Sequence, residues 1–387
     1  MRDVAVIGVG MAKFGERWES DLKSLMAEAG LAALEDAKIT SEEIDAIYGG
    51  TMSPGRLVGQ EHIAPLLADQ LGLKNVPATR VENACASGGS AVREGYLSVA
   101  SGAYDIVVVG GVEKMTDVTT SEATTALGGA GDMETELFQG FTFPGLYALM
   151  AKRHMYEYGT TEEQMAAVAV KNHDNALKNK YAQFHKKISI DEVMQSKPVA
   201  DPLKVLDCSP ITDGAAAIVL APAEIAKKYT DTPIRILGSA QASDTIRLAD
   251  RESLTSIKAA RIASKKALEQ AHVGAEQVDV AEVHDCFTIA EIIAMEDIGF
   301  YKKGEAAKAI ADGETALNGK VSVNTSGGLK GCGHPVGATG VKQIVELTWQ
   351  LRGDAGERQV DGAEIGLAHN VGGSGATAVV HVLKRAD

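Results

Sequence analysis

Cysteine is scarce in this chain. Only Cys85, Cys208, Cys286 and Cys332 occur in 387 residues. Their spacings make no paired C-x-x-C metal framework, and a disulfide scaffold is not expected inside a cell. Each cysteine is therefore read as a thiol. Long apolar runs are missing too: none approaches the roughly 20 residues that span a bilayer. The stretch Met1–Gly8 enters a strand-like run at once, without the basic, apolar and small-residue plan of a signal peptide. The expected location is the cytoplasm, where the sequon Asn324-Thr325-Ser326 has no meaning. Positive charge is in deficit, with a formal net charge of −14. That balance argues against nucleic acid as the main partner, although a few local Lys or Arg could still hold an anionic ligand. A complete dinucleotide fingerprint is also absent. Gly8-Val9-Gly10 follows a strand-like run, but Lys13 stands where the third glycine belongs.

What is present is enough apolar residue, 45% of the chain, for a large interior. A single core stops growing at about 250–300 residues, so two are expected. An internal repeat points the same way. Ala33-Leu34-Glu35, Ala37, Glu42 and Asp45 return 234 positions later as Ala267-Leu268-Glu269, Ala271, Glu276 and Asp279. Asp105–Gly110 resembles Glu364–His369, and Gly214–Val219 resembles Gly375–Val380, in the same order. Both halves alternate strand-like with helix-like stretches, an α/β pattern. Residues 119–200 have no counterpart in the second half and read as an inserted loop domain, with helices expected near Leu146–Tyr158 and Thr161–Lys178. The expected division is 1–118 with 201–232 as the first half, 119–200 as the insertion, and 233–387 as the second half.

Four segments carry chemistry. In Val81–Ala91 a strand-like approach ends at Cys85 and a helix of tiny residues begins. A thiol at a helix N-terminus is expected to favour its thiolate, and free N–H groups there can face an oxyanion. A buried structural cysteine is the competing reading. In Asn324–Gly340, His334 stands between Gly333 and Pro335 in a glycine-rich loop, which clears space for a ligand. Val280–Phe287 carries His284 and Cys286 at a strand end, where α/β folds place ligands. Leu367–Gly375 enters a tight glycine turn through His369, Asn370 and Gly372. A metal set drawn from His284, Cys286, His334 and His369 lacks regular ligand spacing, and no metal is expected.

In this order, the segments resemble the thiolase family over essentially the whole chain. Cys85-Ala86-Ser87 matches its C-x-S nucleophile segment and Gly333-His334-Pro335 its G-H-P segment. Two departures stand out. His284-Asp285-Cys286-Phe287 replaces N-E-A-F, and Asn370-Val371-Gly372 replaces the C-terminal C-x-G. The H-D-C-F form resembles sterol-carrier-protein-type thiolases and their archaeal relatives, in which the second reactive thiol moves to the position of Cys286.

The resemblance implies a thiolase fold of two similar βαβαβαββ halves packed as five αβαβα layers, assembled as a homodimer or homotetramer. It implies reversible Claisen condensation of two acetyl-CoA to acetoacetyl-CoA and CoA, as at the start of the mevalonate route to isoprenoids. Coenzyme A thioesters would be substrates, with no permanently bound cofactor. Cys85 would carry the acyl group, His334 would activate it and Cys286 would take the α proton. His334 and His284 would hold the enolate oxygen, and the N–H groups of Cys85 and of Gly372, in a loop with Asn370, the acyl oxygen. A small OB-fold zinc-containing acyl-CoA-binding protein and hydroxymethylglutaryl-CoA synthase are implied partners. The alternatives are degradative thiolysis of longer or aromatic 3-ketoacyl-CoA and, in another class, a catalytically silent scaffold subunit.

Overall fold

The computed structural model of the chain describes residues 1–386. Its strands are β1 (Val4–Met11), β2 (Ala46–Gly50), β3 (Ala78–Val81), β4 (Val107–Glu113), β5 (Pro198–Ala200), β6 (Leu203–Lys204), β7 (Gly214–Pro222), β8 (Ile234–Ser243), β9 (Val280–Glu282), β10 (Ser322–Val323), β11 (Ile365–Gly372) and β12 (Thr377–Arg385). All but the β5–β6 ribbon join one sheet, in the order β10-β9-β11-β12-β8-β1-β7-β4-β2-β3. Read outward from the antiparallel junction of β1 with β8, the halves run β1-β7-β4-β2-β3 and β8-β12-β11-β9-β10. Each strand of the first half thus has an equivalent at the same place in the second.

The repeat extends below the strands. The helices Leu22–Ala37 and Lys258–Ala271 both end in a left-handed residue, Lys38 at φ 56° and His272 at φ 55°. Short 3-10 turns follow at Ser41–Glu43 and Ala275–Gln277. Asp45 then accepts the N–H groups of Asp105 and Ile106, both at 2.9 Å. Asp279 accepts those of Glu364 and Ile365 at 2.8 and 2.9 Å. The repeated aspartate thus ties each half's second strand to the start of its neighbour, and satisfies N–H groups that the ladder leaves free.

The helices Leu22–Ala37 and Ile63–Gln70 pack on the outer face of the first half. Lys258–Ala271 and Thr288–Ile298 cover the second. The helices Ser87–Ser101 and Thr339–Arg352 lie against each other between the inner faces. The result is five layers. It also explains why β1, β4 and β7 are buried throughout and read as unbroken apolar runs rather than alternating ones. Gly8 and Gly10 take their meaning here. A Cβ on Gly10 would meet Ala29 O at 2.2 Å, and one on Gly8 would meet Ala33 O at 2.4 Å. They let a helix lie close on β1; they do not cradle a phosphate.

The middle helices cross at glycine. A Cβ on Gly340 would meet Gly89 N at 2.0 Å and Asn370 Oδ1 at 2.3 Å. Gly340→Ala is therefore expected to cost about 1–3 kcal/mol through overpacking, read as a lower urea midpoint. An unchanged midpoint would contradict this close approach.

Residues 114–213 connect β4 to β7, whereas residues 373–376 suffice between β11 and β12. The longer connection holds the helices Thr120–Gly128, Phe143–Tyr158, Glu162–Ala176 and Ile190–Gln195. Thr161 caps the third through a capping box with Gln164. Thr142 caps the second, and Pro144 sits in its first turn, so that helix begins three residues before the expected Leu146. Among the described residues no helix is long and apolar enough to cross a membrane.

Candidate active site

Cys85 lies on the turn between β3 and the helix Ser87–Ser101. The Asn83 N–H donates to Ser87 Oγ at 2.8 Å. The Ala86 and Ser87 N–H groups return to Asn83 O and Ala84 O at 3.0 and 3.1 Å. Closing so tight a turn puts Ala84 at φ 51°, a region costly for a residue with a Cβ. The Cys85 side chain meets a cavity of about 170 Å³, shared with Cys286, His334, Tyr147 and Gly373. Its far wall is apolar and comes largely from the long connection: Leu127, Leu137, Phe141, Phe143 and Ile211, with Val336.

The segment after β9 brings in His284 and Cys286. Between them, the buried Asp285 accepts the N–H groups of Leu329 at 2.6 Å and Lys330 at 3.2 Å, and Asn172 Nδ2 at 2.7 Å. This carboxylate bolts the His284–Cys286 segment to the short helix Gly328–Cys332, from which the chain reaches His334 through Gly333 at φ 111°. The rings of His284 and His334 meet edge to face, centroids 5.0 Å apart. A ring nitrogen of each and Cys85 Sγ all lie within 4.8 Å of one another. Cys286 is held by contact with the Tyr147 hydroxyl, and the Tyr147 ring packs at a tilt against Phe287, centroids 4.7 Å apart, while its hydroxyl donates to Gly373 O at 3.2 Å. Cys332 is fully buried beside Asn179, whose Nδ2 lies 3.6 Å from its sulfur, and does not line the cavity.

Hydrogen bonds assign the ring protons. The Thr339 hydroxyl donates to Pro335 O at 3.0 Å and lies 2.7 Å from His334 Nδ1. It therefore accepts from Nδ1–H, and Nε2 carries a lone pair. Asn370 Oδ1 accepts the Gly89 N–H at 3.1 Å, which turns Nδ2 toward Cys85 O at 3.0 Å and His284 Nδ1 at 3.2 Å. An amide NH₂ can only donate, so His284 Nδ1 accepts and Nε2 bears the proton. Both Nε2 atoms are buried without a protein partner. One histidine offers a base and the other a donor.

Burial dominates the protonation states. It holds His334 down to about 3, with the Lys342 charge adding to the effect. It holds His284 well below the usual imidazole range, with smaller contributions from His334 and His369. It pushes Cys286 well above the ordinary thiol value, Cys85 contributing further. Cys85 keeps partial exposure to the cavity, yet burial pushes it up to about 12; a Gly373 N–H opposes this, and the Glu113 charge reinforces it. Desolvation, reinforced by Glu113, thus opposes the thiolate that the helix N-terminus was expected to favour. The N–H groups that reach the Cys85 sulfur are those of Gly373 and of Cys85 itself; Gly372, one residue before Gly373, ends β11 opposite Thr377.

A resting pair of thiol and neutral imidazole makes a kinetic prediction. Alkylation of Cys85 by iodoacetamide is expected to rise about tenfold per pH unit from pH 7 through pH 9, because the reactive thiolate fraction does so below its pKa. A plateau reached near pH 7 would instead reveal a preformed thiolate–imidazolium pair.

Two inward-facing halves, with a cysteine on a strained turn meeting two oppositely protonated histidines and a second thiol, define an enzyme of acyl transfer through sulfur. The chain belongs to the thiolase family: residues 4–224 match the model described as Thiolase, N-terminal domain, and residues 240–385 match Thiolase C-terminal domain-like. Within it the chain is similar to the acetyl-CoA acetyltransferase of Methanothermobacter thermautotrophicus, 55% identical with the whole of both chains covered. It is also similar to that of Methanocaldococcus jannaschii, 53% identical over 99% of each. Among solved structures it resembles one titled Ltp2-ChsH2(DUF35) aldolase, with TM-score 0.86 and 25% identity over 99% of this chain and 97% of that one.

Proposed function

We propose that the chain is an acetyl-CoA C-acetyltransferase that joins two acetyl-CoA reversibly into acetoacetyl-CoA and CoA. The observation that carries this reading is the meeting of Cys85 with His284 and His334 within 4.8 Å, beside Cys286 on one cavity. Burial favours protonated thiols and neutral imidazoles at rest, which supports the proton bookkeeping that follows.

His334 Nε2 takes the Cys85 proton as the sulfur attacks the first thioester carbonyl. The oxyanion and then the acyl oxygen face the N–H groups beside the sulfur, those of Cys85 and Gly373. CoA leaves with the proton of Cys286. That leaves an acetyl group on Cys85, an imidazolium at His334 and a thiolate at Cys286. Because burial makes Cys286 a weak acid, its thiolate is a strong base, suited to the α proton of the second acetyl-CoA. The enolate oxygen is held by His334 Nε2–H and His284 Nε2–H, directly or through a water. The enolate carbon attacks the acetyl carbonyl, and the tetrahedral intermediate expels the Cys85 thiolate. His334 returns its proton to that sulfur, and every group is back in its starting state.

The relatives named above support the acetyl substrate. Condensation is uphill, so a following enzyme that consumes acetoacetyl-CoA, as in a mevalonate route, would draw it forward. This supports a complex with hydroxymethylglutaryl-CoA synthase and a small OB-fold acyl-CoA-binding protein, tested by co-purification from native cells. The apolar far wall of the cavity favours one second reading, thiolysis of longer or aromatic 3-ketoacyl-CoA. Steady-state CoA release with a panel of acyl-CoAs separates the readings. Acetyl-CoA is expected to turn over to acetoacetyl-CoA. Cleavage of bulky 3-ketoacyl thioesters alone would support the second reading, and no CoA release at all would mark a silent scaffold.

A further inference from the structure

Cys85, His284 and His334 present one sulfur and two ring nitrogens within 4.8 Å of one another, with a second thiol, Cys286, on the same cavity. Sulfur and imidazole donors in this number are what a tetrahedral zinc site uses, with metal–ligand distances of about 2.0–2.3 Å. The nitrogens without a protein partner are His284 Nε2 and His334 Nε2, so a metal would have to enter there. A histidine that ligates through Nε2 must carry its proton on Nδ1, and that proton needs an acceptor. His334 meets the condition, since Thr339 Oγ1 can accept from its Nδ1–H at 2.7 Å. His284 does not. Its Nδ1 faces the Asn370 amide nitrogen at 3.2 Å.

The Asn370 amide cannot flip to relieve the clash. Its oxygen accepts the Gly89 N–H, and its nitrogen donates to Cys85 O. Gly340 passes so close that a Cβ there would meet Asn370 Oδ1 at 2.3 Å, and Gly89 stands under the same oxygen, so the side chain has little room to turn. His284 is gripped from a second direction as well, its own N–H reaching His369 Nδ1 at 3.4 Å.

We propose that Asn370 is a positioning residue that locks His284 with its proton on Nε2, and thereby keeps soft divalent cations out of a pocket whose donors would otherwise capture them. The same lock serves catalysis, because it makes His284 a hydrogen-bond donor toward the reacting oxygen. The inference rests on donor–acceptor geometry and holds whichever acyl group the enzyme carries.

Cobalt(II) is the probe, because thiolate ligation gives it a charge-transfer absorption that can be titrated against a chelator, independently of activity. Wild-type enzyme is expected to show no such band where Asn370→Asp, whose carboxylate accepts from Nδ1–H, and Asn370→Ala, which admits a water as the acceptor, both do. Those variants should bind on the order of tenfold to a hundredfold more tightly, the size of effect that partners behind a metal ligand exert. The band should vanish when Cys85→Ala is added. Wild-type enzyme that binds cobalt as tightly as the variants would overturn the proposal, as would folded variants that gain nothing. A second measurement needs no variant at Asn370. In the ¹⁵N spectrum of histidine-labelled enzyme, the signals lost in His284→Gln should be those of a ring protonated on Nε2. Signals of a ring protonated on Nδ1 would overturn the proposal by themselves.

Discussion

Cys85→Ser is expected to lower turnover of acetyl-CoA by on the order of 10⁴-fold or more, the scale on which removal of a nucleophile is felt. The reason lies in the pairing. His334 is held down to about 3, so it is a weak base. It can accept a proton from a thiol already committed to attack, but a serine hydroxyl is a far weaker acid. The second half-reaction suffers as well, because an alkoxide leaves a tetrahedral intermediate much less readily than a thiolate. Ser87 Oγ already takes part in this turn, and a serine at position 85 should fit the space of the cysteine. An unchanged urea midpoint beside a lost kcat would separate chemistry from folding. Normal turnover by the serine variant would contradict the assigned nucleophile.

Cys286→Ala is expected to reduce condensation by about 10²–10⁴-fold, the range of a general acid–base group. Its effect should fall unevenly on the two half-reactions. Acetylation of Cys85 should slow, since CoA then departs without the Cys286 proton, but still reach completion because imidazolium at His334 can supply one. Carbon–carbon bond formation should fail for want of a base. Acetyl-enzyme would then accumulate, and free CoA would discharge it. Cys332→Ala is the control: its sulfur sits beside Asn179, away from the cavity, so condensation should be close to normal. Activity lost in Cys332→Ala and kept in Cys286→Ala would reverse the assignment.

The two-half architecture was legible because a duplicated aspartate and a duplicated helix end stand at a constant offset in the chain. Asp45 and Asp279 perform the same task in each half, and a task imposed by strand geometry keeps its residue. Three chemical segments were legible for a related reason. Backbone turns that present a side chain need small residues around it, so glycine and alanine flag Cys85, His334 and the 370–375 turn. Protonation was not legible. A helix N-terminus favours a thiolate, and only the packing reveals the desolvation beside Glu113 that opposes it. The approach of the Gly373 N–H to the Cys85 sulfur was hidden because the turn between β11 and β12 reaches Cys85 only once the chain is folded. Tyr147, Thr339 and Asn172 left no signal. Each is a common polar residue on a helix, and its partners at Gly373, His334 and Asp285 are distant in sequence or found only once the loop is folded.

The central claim is that Cys85 carries the acyl group, and mass spectrometry of the acetyl-enzyme tests it most directly. Enzyme incubated with acetyl-CoA alone and quenched in acid should yield the Cys85 peptide with one acetyl group in thioester linkage. Added free CoA should remove it before quenching, because the first half-reaction is reversible. The yield should be greater in Cys286→Ala, where the second half-reaction is blocked. An active enzyme that leaves Cys85 unmodified under these conditions, or that carries the acetyl group on another residue, would contradict the account.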